Sequence, residues 1–286
     1  MKRILLTGAT GYIGSHLCEK LASMGYEVMA VIRSASNIKL IKHLVPTIKI
    51  VNIDYEGWLM RASDFNPDII LHSAWNGVEA KDRDNVEIQQ KNIDFMKNLF
   101  SIMNLTNVRR FISLGSQAEY GYLDRVVKED EELKPNNEYA KTKIKAMDML
   151  KEYCQKNKID WYWLRVFAVK GGNQKGNWLF PLFEQALDNP EVNSFEFGSC
   201  EQRYAYLDID LAIEYIIKVI DSKGVESGVY NLSASCARPL KDMLIELRDK
   251  KRVDFELIFN KEKDRELQST WIEGDMTKFF KAFGKD

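Results

Sequence analysis

Short apolar runs rich in β-branched residues alternate with stretches of helical period through the first half of this chain. "RILLTG" leads to "SHLCEKLASMG", then "EVMAVIR", "IKIVNID" and "DIILHSAW" follow. Near-continuous apolar runs fit strands covered on both faces, and the helical periods between them fit crossover connections. The pattern predicts an α/β fold built on a doubly wound parallel sheet.

The alternation continues with a helix over 85–104, the strand "RRFISLG", a helix over 137–157 and the strand "DWYWLRVFAV". After Val169 it weakens, and the Gly, Asn and Lys loop "KGGNQKGN" at 170–177 reads as a boundary. Strong helical period returns in "LDIDLAIEYIIKVI". We expect residues 1–169 to form the large domain, with 203–222 returning to it, and 170–286 to form a smaller, interleaved lobe.

Composition narrows the function. The 286 residues include 41 basic and 42 acidic side chains, so no cationic excess points to nucleic acid or an anionic membrane. No apolar stretch reaches the roughly 20 residues of a spanning helix. Met1 to Thr10 run directly into a strand with no room for a cleavable leader, so a cytoplasmic protein is expected. Cysteines 18, 154, 200 and 236 form no C-x-x-C pair and histidines stand only at 16, 43 and 72, which argues against a disulfide framework or a metal site. His16 and Cys154 read as packing or surface positions.

"LLTGATGYIG" places Gly8, Gly11 and Gly14 between the first strand and the first helix. Glycines there permit a sharp turn, close approach of a pyrophosphate to the main chain, and tight helix–strand packing. The free N–H groups and positive end of the helix then hold the phosphates, which points to a dinucleotide. The second strand ends in Arg33, not in an acidic residue that would accept from the ribose hydroxyls. A guanidinium suits a 2′-phosphate, so NADP(H) is favoured over NAD(H), against the alternative of a solvated loop arginine.

"NNEYAKTKIKAMDML" sets Tyr139 and Lys143 one turn apart on one helix face. An ammonium near a phenol is expected to lower its pKa and fit it for proton transfer. Ser116 ends a predicted central strand, at the edge where open α/β sheets bind ligands, and its hydroxyl is placed to hold a substrate oxygen beside Tyr139.

With these residues assembled, the chain resembles the extended short-chain dehydrogenase/reductase superfamily over nearly its whole length, specifically its nucleotide-sugar epimerases, dehydratases and ketoreductases. The resemblance implies a Rossmann-type sheet with a smaller C-terminal substrate-binding lobe. "TGATGYIG" is similar to the family's dinucleotide loop, which adds Tyr12 and Ile13 to the cofactor contacts. "NID" with the next residue supplies Asp54 and Tyr55 at the adenosine, and "LHSAW" supplies His72, Ser73 and Ala74 at the cofactor and Trp75 at the substrate. Asn92 matches the family's helix asparagine. Tyr139 is then the proton donor or acceptor, Lys143 holds the nicotinamide ribose, and Ser116 and Gln117 meet the sugar. In the distal lobe Arg203 and Arg265 resemble the pair that grips the substrate diphosphate, Asn177, Trp178 and Leu179 a loop that also meets it, and Phe197 the residue on which the nucleobase packs. Phe197 also reads as strand core, and either arginine as a surface ion pair.

The resemblance also discriminates among reactions. The family's 4,6-dehydratases carry an acidic pair after the serine or threonine; here Gln117 and Ala118 stand there, and alanine carries no proton. Glu119, one place further, points away if the segment is extended. The cysteine and downstream histidine of members that epimerise at C3 and C5 are missing. What remains is hydride chemistry at one carbon. Arg33 favours NADPH-dependent reduction of a 4-keto-6-deoxy nucleotide sugar; an NAD-dependent 4-epimerase and a non-catalytic dinucleotide binder are the alternatives. Where epimerases commonly read R-Y-F-N, this chain reads Arg165, Val166, Phe167, Ala168. Apolar residues beyond one stripe, Phe95, Met96, Leu99, Phe100, Met147 and Leu150, suggest the four-helix homodimer common in the family, against the alternative that the chain covers them itself.

Overall fold

In the computed structural model, residues 2–174, 178–264 and 267–285 are described. Asn177 and Arg265, two of the expected substrate contacts, lie outside them. The large sheet has seven strands, all parallel: β1 (Arg3–Thr7), β2 (Glu27–Ile32), β3 (Lys49–Asn52), β4 (Ile69–His72), β5 (Arg110–Ser116), β6 (Asp160–Val166) and β7 (Gly228–Leu232). Their order is β7-β6-β5-β4-β1-β2-β3. The chain leaves β1 toward β2 and later comes back to its other side as β4, so the crossovers part between β1 and β4 and open a crevice at their carboxyl ends.

The two-residue repeat of the strands explains both layers. Leu5, Met29, Ile70, Phe111 and Trp163 point to one face, where they meet α2 (Trp58–Asp64), α3 (Val86–Asn104) and α4 (Glu138–Asn157). Their neighbours Ile4, Leu6, Ala30, Leu71 and Leu164 point to the other, against α1 (Tyr12–Ser23) and α6 (Ile209–Asp221). Of the residues that suggested a dimer, Met96, Leu99, Phe100, Met147 and Leu150 are buried in this core and Phe95 packs against it. The apolar excess is used by the chain's own sheet, so it carries no argument for a partner.

Beyond residue 170 the chain crosses between lobes more than once. The smaller lobe contains α5 (Leu179–Leu187), α7 (Leu240–Lys251) and a mixed sheet of Asp124–Val127, Trp271–Gly274, Arg203–Tyr204 and Arg238–Pro239. Besides α6, β7 and α8 (Thr277–Phe283) return to the large sheet, a wider return than 203–222. Among the described residues no helix is long and apolar enough to cross a membrane and no His/Cys/Asp/Glu group could hold a metal ion.

Gly14 fixes how closely α1 approaches the first turn. A Cβ built there would lie 2.0 Å from the Gly8 carbonyl oxygen, a rigid backbone atom. Gly14→Ala is expected to cost about 1–3 kcal/mol of stability and to weaken dinucleotide binding; urea unfolding with an unchanged midpoint would show that the turn can open at no cost.

Candidate active site

The crevice is floored by the first turn. Gly8 has φ +73°, and a Cβ on it would lie 2.6 Å from the Ala74 nitrogen, so only glycine lets the loop after β4 approach. The α1 helix begins at Gly11 with no side-chain cap and no acidic residue in its first turn. By contrast α3 and α4 are capped by Asn85 and Asn137, whose side chains accept from Ile88 N–H at 3.1 Å and Ala140 N–H at 2.9 Å. An uncapped N-terminus in a glycine cradle suits a diphosphate, so Gly8, Gly11, Tyr12, Ile13 and Gly14 fit a dinucleotide.

Of the residues expected at the adenosine, Asp54 accepts from the Ser34 N–H at 2.7 Å, and Tyr55 is exposed beside it. Arg33 is exposed at the end of β2 and donates to the Asn76 side-chain oxygen at 2.8 Å. The loop after β4, which carries Ser73, Ala74 and Trp75, is held from two sides. The Ala74 N–H donates to Thr7 Oγ1 at 3.2 Å. From α3, the Asn92 amide accepts from the Asn76 N–H at 2.8 Å and donates to the Asn76 carbonyl at 3.1 Å. Asn92 therefore works on the cofactor region through this loop.

His72 differs from the expected cofactor-lining role. It is 2 % exposed, with Nδ1 and Thr7 Oγ1 sharing a hydrogen bond of 2.7 Å and its ring among Trp75, Phe95 and Phe111. Burial, with repulsion from Lys143 second, pulls its pKa down to about 3, so it is neutral near pH 7. It supports the site from beneath.

Ser116, Tyr139 and Lys143 come together. Ser116 ends β5, and its hydroxyl lies near the Tyr139 phenol, with Ala118 of the following turn packed against Tyr139. Lys143 donates to the Leu114 carbonyl at 2.7 Å and lies 3.6 Å from the centre of the Trp75 ring, whose indole N–H donates to Gln89 at 3.0 Å. The electrostatics differ from expectation. Burial raises the Tyr139 pKa above its ordinary value; the nearby Ser116 hydroxyl and the Arg83 charge oppose the rise, and Glu119 adds to it. Lys143, 5.9 Å from the Tyr139 ring centre, is itself pulled down by burial to about 7, with Glu119 opposing.

Residues 117–120 form a single 3-10 turn, which corrects the extended reading of this segment. The sequence signal is Ser-x-x-Glu, a capping box: Ser116 Oγ accepts from the Ala118 N–H at 3.1 Å and Glu119 accepts from the Ser116 N–H at 2.8 Å. Glu119 is fully buried and also accepts from Trp163 at 2.9 Å and from Arg165 Nε at 2.7 Å. The buried amide oxygen of Gln117 has no hydrogen-bond partner among the described residues.

The distal residues are more dispersed. Arg203 lies over the Trp271 ring at 4.8 Å and donates to the Ala237 carbonyl at 3.0 Å, while its buried Nε has no partner among the described residues. Trp178 is 42 % exposed at the start of α5, and Leu179 packs against the lobe's core. Phe197 is 3 % exposed, packed among Phe183, Phe195 and Phe259. A ring enclosed on these sides offers no free face to a base, so the strand-core reading replaces the stacking role. Gln89, Arg83 and the Glu119–Arg165 pair went unread; Gln89 with Asn92, two buried amides three places apart on a helix of apolar period, was a visible signal.

Comparison with known proteins adds three findings. Residues 4–233 match the model of the NAD dependent epimerase/dehydratase family. Among characterised relatives, dTDP-6-deoxy-L-talose 4-dehydrogenase (NAD(+)) of Aggregatibacter actinomycetemcomitans is 22% identical over 83% of this chain and 86% of its own. CDP-abequose synthase of Salmonella muenchen is 23% identical over 84% of this chain and 77% of its own. Among solved structures, UDP-glucuronic acid 4-epimerase from Bacillus cereus, in complex with UDP-glucuronic acid and NAD, superposes with a TM-score of 0.83 at 22% identity, covering 99% of this chain and 93% of that one.

The Lys143 environment has a stability consequence. Its folded-state pKa of about 7 lies below the ordinary 10.5, so between these values the unfolded chain binds more protons. Stability of the cofactor-free protein therefore rises with pH from about 7 to 10.5 through this group. Lys143→Met should flatten that slope in denaturant titrations across the range; an identical slope in both proteins would refute the burial argument.

Proposed function

This chain belongs to the NAD dependent epimerase/dehydratase family, and we propose that it reduces the C4 keto group of a nucleotide-linked 4-keto-6-deoxy sugar with NADPH. The nearness of the Ser116 hydroxyl, at the carboxyl end of β5, to the Tyr139 phenol carries the reading, since both can then face one substrate oxygen. Gly8, Gly11, Tyr12, Ile13 and Gly14 would hold the diphosphate of the dinucleotide, and Lys143 its nicotinamide ribose. A reduced nicotinamide, when bound, supplies the hydride that C4 receives.

The chain's own residues manage the proton. As the carbonyl carbon gains hydride, its oxygen gains negative charge, and the Ser116 hydroxyl donates to it there. The Tyr139 O–H bond breaks as the new O–H bond forms, leaving a phenolate that is reprotonated from solvent. Ala118 carries no proton and the Glu119 carboxylate is already engaged by Arg165, Trp163 and the Ser116 N–H. No acid–base pair remains in the serine turn for dehydration. The naming of one relative as a 4-dehydrogenase of a dTDP-6-deoxy sugar supports chemistry at this carbon. For the substrate diphosphate, Arg203 and, by sequence, Arg265 and Asn177 with Trp178 and Leu179 are the candidates.

A second reading, an NAD-dependent 4-epimerase, draws on one observation. Arg33 is turned to Asn76, and Asp54 stands at the same rim. An arginine held by Asn76, with an acidic side chain at the same rim, favours a free ribose over a 2′-phosphate.

Both readings meet in one assay. With dTDP-, CDP- or GDP-4-keto-6-deoxyhexoses, stoichiometric NADPH loss is expected, and Tyr139→Phe should lower kcat by about 10²–10⁴-fold. Interconversion of a non-keto sugar without net NADPH loss would select the epimerase, and activity unaffected by Tyr139→Phe would remove the catalytic role. Arg33→Ala should cut NADPH affinity more than NADH affinity; an unchanged ratio would defeat the NADP preference.

A further inference from the structure

The loop before α3 is fastened to the start of α4 at the point where Tyr139 enters the site. The Tyr139 N–H donates to the Arg83 carbonyl at 2.8 Å, and the Glu138 N–H donates to Asp84 Oδ1 at 3.1 Å. The Arg83 side chain is aimed as well: its Nε donates to the Val78 carbonyl at 2.9 Å, and its guanidinium lies over the Tyr139 ring, 5.3 Å from the centre. These contacts fix the distance between the guanidinium and the phenol.

Lys143, on the same helix as Tyr139, is placed differently. Its ammonium is taken by the Leu114 carbonyl at 2.7 Å and covered by Trp75 at 3.6 Å, and it lies 5.9 Å from the Tyr139 ring centre, further than Arg83. We propose that Arg83 is a positioning residue for proton transfer, a permanent cation tethered beside Tyr139 that favours its phenolate form. The proposal rests on Tyr139 as the proton-transfer group of the reading above.

The charges facing this phenol support the assignment. Arg83 opposes the rise that burial imposes on Tyr139, the Ser116 hydroxyl on β5 does the same, and Glu119 in the serine turn works the other way. Lys143 is drawn to about 7 by burial, so near neutrality it is only partly charged, whereas a guanidinium keeps its proton throughout. Arg83 then supplies positive charge when Lys143 does not. In the reductive direction the phenolate is the product of the step, so a cation beside it lowers the barrier to giving up the proton.

The test replaces tyrosine throughout the full chain by difluorotyrosine, whose phenol is more acidic, and follows fluorine NMR against pH. Tyr139→Phe identifies the resonance. Arg83→Gln should raise the titration midpoint of residue 139 by about one unit, a tenfold change, and Arg83→Lys should restore most of it. A midpoint unmoved in Arg83→Gln, with NADPH binding intact to show a folded protein, would overturn the proposal. So would a shift that Arg83→Lys fails to reverse, because the effect would then lie in packing. This readout needs no turnover: a shifted midpoint in a protein that reduces no keto sugar sinks the substrate reading alone, and an unshifted one in an active reductase sinks the Arg83 role alone.

Discussion

A buried carboxylate holds the serine turn in place, and the site is arranged around it. Glu119 and Arg165 are almost fully enclosed, a costly placement unless every polar atom is matched. Here it is matched closely. Glu119 receives hydrogen bonds from the Ser116 N–H, the Trp163 indole and Arg165, while Arg165 also donates to Tyr120 at 2.9 Å and to the Glu129 carbonyl at 3.1 Å. Tyr120 then donates to Asn231 on β7 at 2.7 Å, and the Asn231 amide donates to the Val127 carbonyl of the mixed sheet at 3.0 Å. One connected network thus runs from the serine to the strands of the smaller lobe, so a displacement of either lobe is resisted at Ser116.

The same burial that rigidifies the site sets its electrostatics. Removing water raises the cost of charge on Tyr139 and Lys143 alike, which leaves both closer to neutral than free side chains. Proton transfer then depends on which fixed charges remain within reach. Arg83 and Glu119 are those charges, of opposite sign. Trp75 belongs to this arrangement too, since its ring lies against the Lys143 ammonium and edge-on to Tyr139 at 6.2 Å, while Gln89 fixes its indole N–H.

The parallel sheet, the placement of its strands and helices, and the nearness of Ser116 to Tyr139 could be read from sequence because each follows from a local period or a short motif. The strands are uninterrupted apolar runs, and Tyr139 and Lys143 share a helix face by spacing alone. Arg83 could not be found this way: it stands in an irregular loop, and only the tether between its carbonyl and the Tyr139 N–H brings it to the phenol. The expected lowering of the Tyr139 pKa failed for a related reason. Spacing gave the proximity of Lys143 but not the Leu114 carbonyl that claims its ammonium, nor the depth of burial. Phe197 shows the opposite limit, since a phenylalanine in a strand has the same local signature whether its ring is enclosed or free.

The serine turn links this geometry to reaction type. Four residues after β5 could present two acid–base groups to a substrate, but the capping box consumes Glu119 in folding the turn, and Ala118 is buried against Tyr139 and Ala140. This carboxylate accepts three hydrogen bonds from the protein, one of them from a guanidinium, and is committed to holding the turn. In the proposed reading Tyr139 is left as the proton-transfer group, near Ser116 and tethered beside a permanent cation. A site with one proton-transfer group is suited to gain or loss of hydrogen at a single carbon, and elimination across two carbons would need a second group that this turn has already spent on its own structure.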